Sequence, residues 1–152
     1  MDVFNLSAPD PTWDGASDTP GYGYRVAAIG PRLGASLMGG SLYELPPGEK
    51  SFPYHYELGC EEWLIVVAGR PTLRDPNGER ELAPGDVVCF PDGPAGAHQV
   101  HNRTEESVRI LFVSTKAPVA LARFPDSGKT MAWTRDEGAE LYRDTVPYWD
   151  GE

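Results

Sequence analysis

The chain has 152 residues and three histidines, His55, His98 and His101, and the first of them stands beside carboxylates. In His55-Tyr56-Glu57 the side chains alternate, so on a strand His55 and Glu57 share one face. Four residues separate Glu57 from Glu62, enough for a turn, and Glu62 then heads a run in which Leu64, Val66 and Ala68 share its face. A carboxylate aligned with an apolar inward face is costly unless something positive pairs with it. A divalent metal ion is a natural partner, and imidazole with carboxylate is a suitable donor set for it.

Further along, His98, Val100 and Asn102 share one face of His98-Gln99-Val100-His101-Asn102, while Gln99 and His101 share the other. If Val100 faces inward, so does His98, and His101 then faces solvent. Cys60 lies in the loop between the two glutamates, as redox group or as inert filler. There is no Gly-x-Ser-x-Gly elbow, phosphate loop or dinucleotide fingerprint, since Gly21-x-Gly23 lacks the third glycine. Nucleophilic catalysis and nucleotide binding therefore have no positive support.

The elements that must position these residues are short. Strands are expected at 24–28, 35–38, 41–45, 52–57, 62–68, 72–74, 80–82, 86–90, 98–102 and 107–114. Pro46-Pro47-Gly48, Asp75-Pro76-Asn77-Gly78, Ala83-Pro84-Gly85 and Pro91-Asp92-Gly93 supply the breaks between them. Many short strands at close spacing predict an all-β antiparallel sandwich or barrel. The 17 Gly and 15 Pro leave little room for long helices. Thr134-Arg135-Asp136-Glu137 fits a capping box and predicts one short helix near the end. The final Val146-Pro147-Tyr148-Trp149 places two aromatics in an acidic tail, as a staple to the barrel wall or a lid.

A formal charge of −10 argues against a nucleic-acid binder, which needs a basic face. The acidity is concentrated at the ends: residues 1–20 carry four aspartates and no Lys or Arg, and residues 136–152 carry six acidic groups against Arg143. No apolar run approaches a membrane span, and the N-terminus lacks a signal-peptide pattern. Two cysteines, Cys60 and Cys89, are too few for a disulfide framework. A cytoplasmic protein with free thiols and no membrane partner is expected.

Two patterns together resemble the motifs of the cupin superfamily. The first reads Gly48, His55-Tyr56-Glu57, Glu62 and, after six residues, Gly69. The second reads Gly85, Pro91-Asp92-Gly93, His98 and Asn102. The Gly48–His55 and Gly93–His98 gaps are longer than the family's usual ones. The resemblance covers roughly residues 35–115 and implies a double-stranded β-helix, a jelly-roll barrel. It divides the chain into an N-terminal arm over 1–20, a barrel over 21–118 and a C-terminal extension over 119–152 packed on the barrel.

The resemblance also carries His55, Glu62 and His98 over as ligands of one divalent ion (Zn, Fe, Mn or Ni). Glu57 stands where the family commonly has a second histidine, and it is the candidate fourth ligand unless it turns away. Two neutral histidines and two carboxylates would cancel the ion's charge, leaving a weaker Lewis acid that attracts anions less. The expected function is a metal-dependent enzyme acting on a small organic molecule, as oxygenase, isomerase or lyase. A non-catalytic module that binds a small metabolite or sugar is the alternative, because this fold hosts many activities. Family resemblance further implies a homodimer.

Overall fold

The computed structural model describes residues 1–134 and 138–142. Thirteen strands are found there: β1 Gly15–Ser17, β2 Tyr24–Ala28, β3 Met38–Leu45, β4 Tyr56–Leu58, β5 Glu62–Ala68, β6 Thr72–Asp75 and β7 Gly78–Glu81, then β8 Val87–Phe90, β9 Gln99–His101, β10 Val108–Thr115, β11 Val119–Phe124, β12 Lys129–Thr134 and β13 Gly138–Tyr142. One short helix, α1 Ile29–Arg32, follows β2. The strands form a six-stranded sheet ordered β1-β2-β3-β10-β5-β8, a four-stranded sheet β13-β12-β11-β4 and a three-stranded sheet β7-β6-β9. Every pairing is antiparallel, and the all-β barrel expected from the sequence is the one observed.

Period-two alternation explains the main core. Leu45 of β3, Leu64 and Val66 of β5, and Val108, Ile110 and Phe112 of β10 turn inward from the large sheet. Leu73 of β6 and Val100 of β9 meet them from the three-stranded sheet. Burying each such side chain fully is worth about 1.5–3 kcal/mol. The turn after β5 requires glycine: Gly69 has φ +79°, and a Cβ there would lie 2.6 Å from the Val108 side chain.

The N-terminal arm covers the outer face of the large sheet. Phe4, Leu6 and Trp13 pack on a second cluster built from Ala27, Ile29 and Leu42. The Arg109 guanidinium donates to the carbonyls of Ala8 and Pro9 and also pairs with Glu44 at 2.8 Å. Asp14 pairs with Arg32 at 2.7 Å and accepts from the Ala28 amide at 2.7 Å. The arm also contributes β1, so the sheet begins before residue 20.

Three local expectations are corrected, the first being the strand at 52–57: residues 52–54 are bends, His55 makes an isolated bridge, and the strand itself is Tyr56–Leu58. Residues 35–37 are not a strand, and the chain between α1 and β3 is a turn closed by the Ala35 amide on the Gly30 carbonyl. In place of a helix opening at Thr134, β12 and β13 pair in register from Thr134↔Gly138 to Thr130↔Tyr142. Arg135, Asp136 and Glu137 of the capping box, and the aromatic tail at 146–150, lie outside the described residues. No helix among the described residues is long and apolar enough to cross a membrane.

Candidate functional site

The site is assembled where the two ends of the fold's shortest strands meet. His55 immediately precedes β4 and His98 immediately precedes β9. The two residues form an antiparallel bridge, His55 N–H to His98 O at 3.1 Å and His98 N–H to His55 O at 2.8 Å. The loop before His98 is held by the Gly93 amide, which donates to the Glu57 carbonyl at 2.8 Å. A one-turn 3-10 helix over Pro94–Gly96 then aims the chain inward. Gly96 is sterically obligatory, since a Cβ there would lie 2.0 Å from the Pro91 carbonyl oxygen.

Both imidazoles are oriented by the backbone. His55 Nδ1 lies 2.8 Å from the Pro53 carbonyl, and His98 Nδ1 lies 2.8 Å from the Gly96 carbonyl. A carbonyl only accepts, so each Nδ1 carries the hydrogen and each Nε2 keeps a lone pair free. This is the arrangement second-partner bonding imposes on metal-ligating histidines. The ring planes are further fixed by packing: His98 stacks on Phe90 at 3.7 Å, His55 on Phe124 at 5.7 Å, and the two imidazole centres are 4.6 Å apart.

Glu62, the first residue of β5, faces the same space. One carboxylate oxygen lies 3.2 Å from His98 Nε2, yet that nitrogen is buried with no hydrogen-bond partner. Two lone pairs repel, so the contact demands a positive bridge, either a proton or a metal ion. Burial pushes the Glu62 carboxyl up to about 7, opposed by His55. Burial and the neighbouring His98 push His55 down to about 4, while burial lowers His98. Glu57 on β4 is raised by burial and by Glu62, and it accepts a hydrogen bond from the Cys60 thiol.

The structure therefore brings His55, Glu57, Glu62 and His98 into one neighbourhood, with His55, Glu57 and Glu62 lining one cavity of about 530 Å³. The donor types suit a divalent ion, and the orphaned Nε2 of His98 is the atom such an ion would satisfy. Among the described residues, no three His, Cys, Asp or Glu side chains already converge on one ion-sized point.

His101 lies elsewhere. Its Nε2 donates to the Gly48 carbonyl at 3.1 Å and its Nδ1 accepts from Arg103 at 3.1 Å. Asn102 is fully buried and serves the backbone, donating to the carbonyls of Leu45 at 2.9 Å and Glu106 at 2.8 Å.

Part of the cavity wall comes from residues that motif reading passed over. Tyr43, Phe52 and Phe112 line it from the barrel side, and Phe124, Lys129 and Met131 from the β11–β12 hairpin. The hairpin is thus a wall of the pocket, joined to the site by the register Glu57↔Ala122 between β4 and β11. Alternation in Lys129-Thr130-Met131 places Lys129 and Met131 on one face, a signal present in the sequence but readable only once that segment is known to be a strand.

A sequence profile described as a cupin domain matches residues 41–114. No curated protein sequence matches the chain. Among solved structures, the chain is similar to a sugar phosphate isomerase from a cupin superfamily in Silicibacter pomeroyi, with 31% identity and a TM-score of 0.78 over 85% of each chain. It is similar to a protein of Acidithiobacillus ferrooxidans provisionally described as a sugar phosphate isomerase, with 28% identity and a TM-score of 0.76 over 84% of this chain and 83% of that one. It also resembles a Cupin 2 conserved barrel domain protein of Salinispora arenicola, with 27% identity and a TM-score of 0.56 over 77% of this chain and 90% of that one.

Proposed function

The chain belongs to the cupin superfamily, and from that premise we propose that it is a metal-dependent isomerase of a small sugar-type substrate. The observation that carries the metal is the buried, partnerless Nε2 of His98 facing the Glu62 carboxylate, with both histidines presenting Nε2 lone pairs. His55, Glu62 and His98 would hold one divalent ion, with Glu57 as the fourth ligand. Of the oxygenase, isomerase and lyase readings, isomerase is favoured by the description of the Silicibacter pomeroyi protein.

The chemistry is consistent with that choice. Isomerisation of a hydroxy-carbonyl compound moves hydrogens between neighbouring atoms and needs no oxidant or leaving group. A bound divalent ion supplies polarisation of the substrate's oxygen atoms. The residues of the chain do the rest. His55 and His98 stay neutral donors through the ordinary pH range because burial depresses their protonation. The aromatic lining from Phe52, Phe112 and Phe124 excludes water around the substrate's carbon chain. Tyr43 keeps its hydroxyl hydrogen, because burial raises its pKa to about 12, and remains a donor in the cavity wall.

The test couples metal content to hydrogen exchange. Protein purified without added metal should contain about one divalent ion per chain by elemental analysis, and His98→Ala should contain none. In heavy water, the loaded protein should exchange the hydrogen next to the carbonyl of its sugar substrate, stop on chelation and resume when metal is restored. Full metal occupancy in His98→Ala would overturn the ligand assignment. Sugar binding without exchange would leave a binding module in place of an enzyme.

A further inference from the structure

The pocket's inner row on β12 contains a residue that does not belong with its neighbours. Phe124, Met131 and Leu141 make the hairpin wall apolar, and Lys129 lies among them on the same wall. Lys129 is the one Lys or Arg among the described lining residues, in a chain of net charge −10. Its ammonium sits over the Phe124 ring at 5.6 Å, and among the described residues it makes no ion pair. Other cations are committed elsewhere: Arg74 to Asp126, Arg25 and Arg109 to Glu44, Arg32 to Asp14. A structural lysine on a strand would ordinarily face solvent from the outer row, as Arg123 does when it donates to Thr130 Oγ1 on the hairpin's other face.

The position of Lys129 relative to the site is set by one ring. Phe124 is its cross-strand partner, and Phe124 in turn stacks on His55 at 5.7 Å. Two short legs through a single phenyl ring therefore separate the ammonium from the imidazole, a span within reach of a five- or six-carbon phosphate ester. Two carboxylates in the proposed metal centre would leave it electrically neutral, so that centre offers an anion little attraction. The pull on an anionic group must come from another part of the wall.

Resting on the isomerase reading, we propose that Lys129 is a specificity-determining residue that anchors the phosphate monoester of a phosphorylated sugar. Serine hydroxyls of Ser41 and Ser114 line the same cavity and can donate to a substrate. Carboxylate and phosphate share the charge that Lys129 reads, and a dianionic phosphate makes the stronger charge-assisted contact.

The experiment measures calorimetric binding of ribose 5-phosphate, ribose, ribonate and inorganic phosphate to the metal-loaded protein. The parent should bind ribose 5-phosphate at least tenfold more tightly than ribose, with inorganic phosphate competing. Lys129→Ala should lose at least tenfold for the ester and nothing for ribose, Lys129→Arg should recover most of the loss, and metal content should stay unchanged. Lys50→Ala, at a lysine that rests on Tyr22 outside the pocket, should behave as the parent. Equal affinity of the parent for both sugars, no measurable binding of the ester, or a preference that survives in Lys129→Ala would overturn the proposal. Ribonate bound as tightly as the ester would overturn the phosphate assignment. A Lys129-dependent preference in a protein that shows no isomerisation would support the anchor while removing the isomerase reading.

Discussion

At the scale of single residues, His55 and Glu62 are opposed titrations in one buried space. Glu62 holds its proton more tightly when folded, with its pKa raised to about 7, so its contribution to stability is full below its unfolded value and is lost as pH rises towards 7. His55 is depressed to about 4, so its contribution is full above its unfolded value and is lost as pH falls towards 4. Across the shared window the two slopes cancel, and each single substitution should unmask the other. In metal-free protein, Glu62→Gln should make unfolding free energy rise with pH relative to the parent, by up to about 1.4 kcal/mol per pH unit. His55→Gln should make it fall by a similar amount, and urea unfolding with chelator across pH 4.5–6.5 would check both. Parallel pH profiles for parent and variants would refute the coupling. Glu57 is tested differently. If it ligates, Glu57→Ala weakens metal affinity at least tenfold, and Glu57→His raises the charge of the site by one unit and tightens azide binding. Metal titrations of the two variants beside the parent measure this, and unchanged affinity in Glu57→Ala would reduce the set to three ligands.

At the scale of elements, legibility followed alternation. The strands at Glu62–Ala68 and Val108–Thr115 were readable because apolar and polar positions alternate over seven or eight residues. The same logic put His98 beside Val100 and Asn102, and all three are buried. Gln99, assigned to the other face, is also buried, because its amide is used to tie the Phe52 carbonyl at 2.6 Å. The β11–β13 meander is not legible in the sequence because Thr134-Arg135-Asp136-Glu137 mimics a helix start, while the strand pairing that decides the matter is not local. The hairpin side of the pocket wall, and with it Lys129, is therefore visible only in the structure. Asn102 matched a motif position without being a ligand, since its side chain closes the turn to Thr104 and Glu106. His101, with both ring nitrogens engaged outside the cavity, gives a clean contrast with His98. His101→Ala should keep full metal content and lose no more than about 1 kcal/mol of stability, the net worth of a hydrogen bond. Loss of metal in that variant would contradict the assigned faces.

At the scale of the whole molecule, one guanidinium ties the start of the arm to the centre of the large sheet. Arg109 is half-buried on the central strand β10, stacks towards Trp13, and holds the arm's carbonyls at Ala8 and Pro9. Arg109→Ala should cost about 2 kcal/mol, the scale for removing hydrogen bonds to a charged group, with Arg25 left to compensate Glu44. Limited proteolysis should then cut within residues 1–14 faster than in the parent, and an unchanged cleavage pattern would argue against the arm being held this way. The pairing of β4 with β11 has a different kind of consequence, one of timing. His55, Glu57 and Glu62 are translated early, but the strand that flanks β4 is Val119–Phe124, and the wall that closes the cavity follows it. Until residues 119–134 have left the ribosome, the cavity lacks that wall, so whatever the pocket takes in, it takes in only after this segment has emerged and paired with β4.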